Sequence, residues 1–179
     1  EMVDMKAIKK YKLLILAAAV VVLSVAIDLV TKVIAQNNLQ GNTVSVIGDW
    51  LQLTYTTNGG SSFSFLDGHE GANIIFFVIT LIGLPLIGAL IYFNRKGSLF
   101  GNVGLMLMLG GTLGNAIDRA FLGDGFFNGR VRDFISVKGF AVFNFADMCL
   151  VVGVIMFIIA LLFLEKDALF GKKENKKDE

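Results

Sequence analysis

The sequence is poor in the residues that build disulfide scaffolds and metal centres. It has one cysteine, Cys149, and one histidine, His69, among 179 residues. A single cysteine excludes an internal disulfide and a cysteine-rich metal site, and a single histidine excludes a two-histidine zinc motif. The chain also has one proline and only 17% charged residues. Soluble domains carry about 25% charged residues, and disordered chains are typically rich in proline and charge.

Apolar residues dominate the composition instead. They make up 55% of the chain and are grouped in long blocks, while the formal net charge is +1. A charge this small provides no overall basic surface, so we expect no nucleic-acid partner. The composition predicts an integral membrane protein.

Four apolar blocks predict four transmembrane helices, at about 13–35, 72–93, 99–118 and 147–164. About 20 mostly apolar residues are needed to cross the hydrocarbon core. The first and fourth blocks reach that length only by including an acid, Asp28 and Asp147. We treat 1–179 as one membrane domain, with segments between spans at about 36–71 and 119–146 and a disordered charged tail at about 171–179.

The distribution of lysine and arginine predicts the orientation. Eleven of these residues lie near the two termini and in the short link between the second and third spans, whereas five lie in or beside 36–71 and 119–146. Cytoplasmic segments carry the excess of positive residues. Both termini are therefore expected in the cytoplasm, and 36–71 and 119–146 are expected at the outer face.

The first outer segment is expected to form strands rather than a helix. Residues 43–57 are rich in Val, Ile, Thr, Tyr and Trp and are interrupted at Gly48-Asp49, which is typical of a hairpin. Residues 140–145 predict a further strand. The expected fold is an all-α polytopic membrane protein with four transmembrane helices and a small extracytoplasmic β-sheet.

Polar residues that are costly in a membrane fall at one level, near the outer ends of the spans. They are Asp28, Lys32, Asn58, Asn115, Asp118, Arg119, Asp133 and Asp147.

Each of these residues also has a purely structural explanation. Asp28 and Lys32 are four apart and can form an ion pair on a helix. Arg119 can complement the carboxyl end of the third helix, and Asp147 can cap the fourth. Gly110 and Gly114 favour close helix packing. The structural explanations weaken when all the residues converge at one depth, which favours a functional site.

Carboxylates are the strongest catalytic candidates. The sequence has no G-x-S-x-G to present a nucleophilic serine. Two facing acids can share one proton, so that one activates water while the other protonates the leaving group or polarises the carbonyl. The candidates are Asp28, Asp118, Asp133 and Asp147, and the residues alone do not select the pair.

Five stretches, taken together and in order, resemble lipoprotein signal peptidase (signal peptidase II), the membrane aspartyl protease family of bacteria. They are spread over about two thirds of the chain and are 28–32 (DLVTK), 58–64 (NGGSSFS), 110–119 (GGTLGNAIDR), 131–135 (VRDFI) and 143–147 (FNFAD). The resemblance implies four membrane helices, cytoplasmic termini, a small outer β-cradle and a site near the outer face of the bacterial cytoplasmic (inner) membrane.

The resemblance also implies residue roles. Asp133 and Asp147 match the catalytic pair. Asp28, Lys32 and Asp118 also match family positions, and we expect their role to be mainly structural. Positions that shape or hydrogen-bond the site are matched by Asn58, Gly60, Asn115, Arg119, Asn144 and Ala146.

The implied reaction removes the signal peptide of a diacylglyceryl-modified prolipoprotein by cutting before its lipidated cysteine. The implied partners are that substrate and membrane lipid, with inhibition by globomycin-type lipopeptides. No metal or organic cofactor is expected.

Two departures from the family pattern keep alternatives open. Ser61-Ser62 replaces the usual Ala-Ala, and the link between Arg119 and Asp133 is long and contains a rival acid, Asp124. A non-enzymatic membrane protein with an acidic ion or proton relay is the principal alternative. Another type of intramembrane aspartyl protease is disfavoured because its G-x-G-D signature is missing.

Overall fold

The computed structural model describes residues 5–59, 72–123 and 128–164. Four helices are present: α1 (Met5–Leu39), α2 (Ala72–Phe93), α3 (Leu99–Phe121) and α4 (Phe145–Ile159), the last continuing as one π-helical turn, Ala160–Leu164. Three strands complete the fold: β1 (Thr43–Ile47), β2 (Leu51–Asn58) and β3 (Val131–Val137). Several residues named above lie outside the described part of the chain: Gly60, Ser61, Ser62, His69, Asp124 and the tail 171–179.

Each of the four helices is long and apolar enough to span a membrane. Their outward faces carry large apolar side chains that are well exposed, such as Val22 at 64%, Ile82 at 62% and Val151 at 59%. Such a surface is stable in contact with lipid and unfavourable in contact with water. The predicted fold class, a mostly helical multi-pass membrane protein with a small sheet, is confirmed.

Helix α3 contacts the other three helices and forms the centre of the bundle. Small residues allow this close approach, as the sequence predicted for Gly110 and Gly114. A Cβ atom on Gly110 would lie 2.6 Å from the Cβ of Ser24 in α1, and one on Gly114 would lie 2.5 Å from an Asp28 carboxylate oxygen. Both glycines therefore hold α1 against α3.

The three strands form one antiparallel sheet in the order β1-β2-β3. The hairpin between β1 and β2 turns at Gly48, whose φ of 47° lies in the left-handed region that glycine adopts without strain. The predicted hairpin is present.

The predicted strand at 140–145 is wrong. Only Phe143 pairs, in an isolated bridge with Ile135, and the strand from this part of the chain is Val131–Val137. The reason is that α4 begins at Phe145, so the segment must turn into the helix and has room for a single pairing.

The sheet lies at the end of the bundle where α1 and α3 end and α4 begins. Helix α1 continues to Leu39 because its last turns are buried against the sheet: Ala35 and Leu39 pack with Phe134 of β3. The Arg132 side chain of β3 donates to Gln36 of α1. The polar ends of three helices and one strand therefore meet in one place.

The packing of α3 against α4 predicts different effects for two glycine-to-alanine changes. A Cβ on Gly153 would lie 2.5 Å from the carbonyl oxygen of Gly104, so Gly153→Ala should destabilise the protein by about 1–3 kcal/mol. Gly88 in α2 has no such neighbour within 4 Å, so Gly88→Ala should be neutral or stabilising. Thermal midpoints in one detergent provide the measurement. Equal midpoints for the two variants would contradict the close α3–α4 contact.

Candidate active site

Asp133 lies on the face of β3 that points away from Arg132, because successive side chains of a strand alternate. Only 2% of Asp133 is exposed. Its Oδ2 accepts a 3.0 Å hydrogen bond from the Asn58 amide of β2, and its Oδ1 accepts a 2.7 Å bond from the Asn144 amide. Two neutral amides therefore hold a buried carboxyl group in a fixed orientation.

Asp147 lies in the first turn of α4 as part of a reciprocal cap. The Asn144 side-chain oxygen accepts from the Asp147 N–H at 3.0 Å, and Asp147 Oδ2 accepts from the Asn144 N–H at 3.1 Å. The suggestion that Asp147 itself is the N-cap is corrected: Asn144 is the N-cap and Asp147 completes the capping box. The helix start thus fixes the second carboxylate.

Asn115 and Asn144 connect the two acids. The Asn115 amide donates to Asp147 Oδ1 at 2.8 Å, and its oxygen accepts from the Asn144 amide at 3.0 Å. Because the Asn144 amide also binds Asp133, a continuous chain of hydrogen bonds runs from Asp133 through Asn144 and Asn115 to Asp147. The orientation of Asn115 is set further by Lys32, whose Nζ lies 2.9 Å from the same oxygen.

A buried ion network lies beneath this chain of amides. Lys32 Nζ is 2.7 Å from Asp28 Oδ2 and 3.4 Å from Asp118 Oδ2, and all three side chains are fully buried. Arg132 pairs with Asp118 at 2.7 Å. The expected Asp28–Lys32 pair is therefore present and extends to a second acid and a second base.

Burial is the main cause of a raised pKa at Asp133. Together with the negative charge of Asp147, it raises the pKa of Asp133 from the ordinary 3.8 to about 6. The hydrogen bonds from Asn58 and Asn144 act in the opposite direction by stabilising the carboxylate. Perturbed carboxyl groups of this kind are concentrated at functional sites.

A cavity of about 610 Å³ opens onto both acids. Asn58, Asn115 and Arg119 border it on the polar side, and the Arg119 guanidinium lies 4.7 Å above the ring of Phe76. The remaining wall is apolar and consists of Val131, Phe140, Ala141, Val142, Phe143, Met148, Val151 and Val152. The cavity can therefore accept a ligand that is mainly apolar and place its polar part at the carboxylates.

The structure brings most of the predicted residues together. Asn58, Asn115 and Asn144 contact an acid directly, whereas Ala146 serves the ion network, because its backbone N–H donates to Asp28 Oδ1 at 2.9 Å. Within the described residues, no group of three or more His, Cys, Asp or Glu side chains could hold a metal ion. That the site works without metal or cofactor stays a prediction.

Arg132 is the principal residue that the sequence did not single out. It is 7% exposed and donates to both carboxylate oxygens of Asp118. Its position next to Asp133 in the sequence could have identified it, since a cation in a buried strand requires an acidic partner.

Residues 20–163 match the family model described as Signal peptidase (SPase) II. The chain belongs to the signal peptidase II family. It is therefore a peptidase, and its four apolar helices make it a multi-pass membrane protein.

Two relatives named lipoprotein signal peptidase show how much of the chain is shared. The protein of Mycobacterium tuberculosis is 38% identical over 152 residues, which cover 84% of this chain and 71% of the relative. The protein of Streptomyces coelicolor is 39% identical over 142 residues, or 79% of this chain and 67% of the relative.

Two solved structures of bacterial membrane enzymes share the fold of this chain. A bacterial membrane enzyme determined by the in meso method at 2.3 Å resolution superposes with a TM-score of 0.67 and is 34% identical, covering 91% of this chain and 93% of its own. A second, at 1.9 Å, gives the same TM-score at 35% identity and covers 82% of this chain and 92% of its own.

The ion network predicts that the protein loses stability when its central cation is removed. Lys32→Ala leaves Asp28 and Asp118 buried beside each other without their shared partner, which should cost about 3–5 kcal/mol. Because Lys32 also orients Asn115, peptidase activity should fall as well.

Lys138→Ala is the matched control, since Lys138 is an exposed lysine at the same end of the molecule. Its thermal midpoint should equal that of the wild type. A Lys32→Ala protein with a normal midpoint and no activity would contradict the structural role and assign Lys32 to the chemistry itself.

Proposed function

We propose that this signal peptidase is an aspartyl endopeptidase in which Asp133 and Asp147 form the catalytic dyad. The observation that carries the proposal is the hydrogen-bonded connection between them, Asp133–Asn144–Asn115–Asp147, at the polar end of an apolar cavity. The substrate is a diacylglyceryl-modified prolipoprotein, and the reaction hydrolyses the peptide bond before its lipidated cysteine.

The two acids take different roles. Asp133 is the more deeply buried, and its pKa, raised to about 6, lets it hold a proton more readily than an ordinary carboxyl group, so it supplies the proton. Asp147 accepts hydrogen bonds from Asn115 and from the Asn144 N–H, which stabilise its carboxylate, so it acts as the base.

Hydrolysis then follows from proton transfers between these groups and water. Asp147 takes a proton from water as the water oxygen attacks the scissile carbonyl carbon, and Asp133 gives its proton to the carbonyl oxygen. When the tetrahedral intermediate breaks down, the leaving amine receives the proton held by Asp147, and the hydroxyl proton of the intermediate returns to Asp133. The dyad ends in its starting protonation state, and no cofactor is needed.

The apolar wall of the cavity suits the lipid part of the substrate. Met148, Val151 and Val152 line the cavity and are also exposed on the outside of α4, at 43%, 59% and 46%. Acyl chains can therefore extend from the cavity towards the surrounding lipid while the peptide crosses the acids. A globomycin-type lipopeptide would occupy the same space.

The orientation belongs to the same proposal. Both termini face the cytoplasm, and the sheet and the dyad lie at the outer face of the bacterial inner membrane, because lysine and arginine are concentrated at the opposite end. The chain acts as a single membrane domain. An ion relay is less well supported, since the acids border a cavity sized for a ligand and are fixed by amides rather than arranged along a path.

Asp133→Asn and Asp147→Asn should each lower the rate of cleavage of a lipidated prolipoprotein peptide by more than about 1,000-fold. The side chains keep their size, but an amide can neither hold the shared proton nor act as a base, and groups that act as a unit fail together. Asp49→Asn, at the exposed hairpin turn, makes the same chemical change away from the site and should retain wild-type cleavage.

The same assay with an unlipidated peptide tests the substrate class. Each buried CH₂ contributes about 0.8 kcal/mol to anchoring, and anchoring fixes the depth of the scissile bond, so the free-thiol peptide should lose both affinity and rate. Near-wild-type turnover of the lipidated peptide by Asp133→Asn would overturn the assignment of the catalytic dyad. Equal catalytic efficiency of the wild type on both peptides would overturn the proposed lipid specificity and leave the dyad assignment intact.

A further inference from the structure

A second cavity, of about 420 Å³, lies at the end of the bundle opposite to the dyad. Helix α1 contributes Leu16 and Val20, and helix α3 contributes Val103 and Met106. Helix α3 begins here and carries Arg119 in its last turn, beside the dyad, so the two cavities lie near opposite ends of α3 and share no lining residue. The second cavity is therefore independent of the catalytic site and of the proposed reaction.

Two cations border this apolar space. Arg95 and Lys96, in the short turn after α2, both line the cavity and are exposed. The Arg95 guanidinium is held in place, 4.2 Å from the centre of the Tyr92 ring, and its Nη1 donates to the Tyr92 carbonyl at 2.9 Å. A guanidinium has five N–H donors, so others remain for a ligand.

The beginning of α3 adds to the positive potential at the same rim. Leu99 and Asn102, from the first turn of α3, line the cavity, and that turn contains no acidic residue. The amino end of a helix carries a partial positive charge. In the described part of the chain, no acidic side chain lines this cavity.

We propose that the second cavity binds one anionic phospholipid. Its phosphate lies beside Arg95 and Lys96 at the beginning of α3, and an acyl chain lies between α1 and α3. An apolar wall alone would accept any lipid, but the paired cations and the helix end select a negative headgroup. Basic pockets between membrane helices recognise anionic headgroups by this combination of charge and apolar contact.

The test measures lipid binding to the purified full-length chain by native mass spectrometry in a neutral detergent. The probes are phosphatidylglycerol and phosphatidylcholine with identical acyl chains. Arg95→Gln and Lys96→Gln should each weaken phosphatidylglycerol binding about fivefold, the effect of one basic residue near the membrane surface, and weaken phosphatidylcholine binding less, because the choline cation cancels the charge of the phosphate. The matched control is Lys138→Gln, which removes one exposed positive charge at the sheet end and should change neither lipid.

A second variant tests the apolar part of the site with both cations kept. Ala17 lines the cavity, so Ala17→Phe should fill it and weaken both lipids, with thermal midpoints showing that the protein is folded. Three results would overturn the proposal: equal wild-type affinity for the two lipids, unchanged phosphatidylglycerol binding by Arg95→Gln and Lys96→Gln, or an equal loss in Lys138→Gln. Unchanged binding by folded Ala17→Phe would remove the acyl-chain site.

Discussion

The unpaired amides at the beginning of α4 are the constraint around which the site is built. The first N–H groups of a helix have no partner within the helix and must be satisfied by other groups when they are buried. Here the Asn144 side chain accepts from the Asp147 N–H, and Asp28 accepts from the Ala146 N–H. Asp147 returns a hydrogen bond to the Asn144 backbone. The groups that cap the amino end of α4 are thus the same groups that hold one acid of the dyad and bring α1 into contact with α4.

Buried charge is tolerated here because it is balanced. Asp28 and Asp118 face Lys32 and Arg132, so the network beneath the amides contains two acids and two bases. A buried charge is costly unless it is paired and hydrogen-bonded. With this layer neutral, the acids that line the cavity in the described part of the chain are Asp133 and Asp147, beside Arg119. The environment of the dyad can therefore raise the pKa of one acid without loss of the surrounding fold.

Features that depend on neighbouring residues were predictable from the sequence. Apolar length predicted four helices, β-branched residues around Gly48-Asp49 predicted the hairpin, and a spacing of four predicted the Asp28–Lys32 pair. Features that depend on distant contacts were not. The strand Val131–Val137 is defined by its pairing with β2, and Arg132 by its contact with Asp118 in α3, and neither partner is local. The choice of Asp133 and Asp147 came from the family resemblance, since no local pattern shows that two amides connect them.

The direct test of a coupled dyad is to titrate the Asp133 carboxyl group by ¹³C NMR in the wild type and in Asp147→Asn. Because the charge of Asp147 raises the pKa of Asp133, the wild type should show an apparent pKa near 6, and Asp147→Asn should lower it. In pH terms, Asp133 in the variant should lose its proton at a lower pH than in the wild type. An Asp133 pKa near the ordinary 3.8 in both proteins would contradict the account.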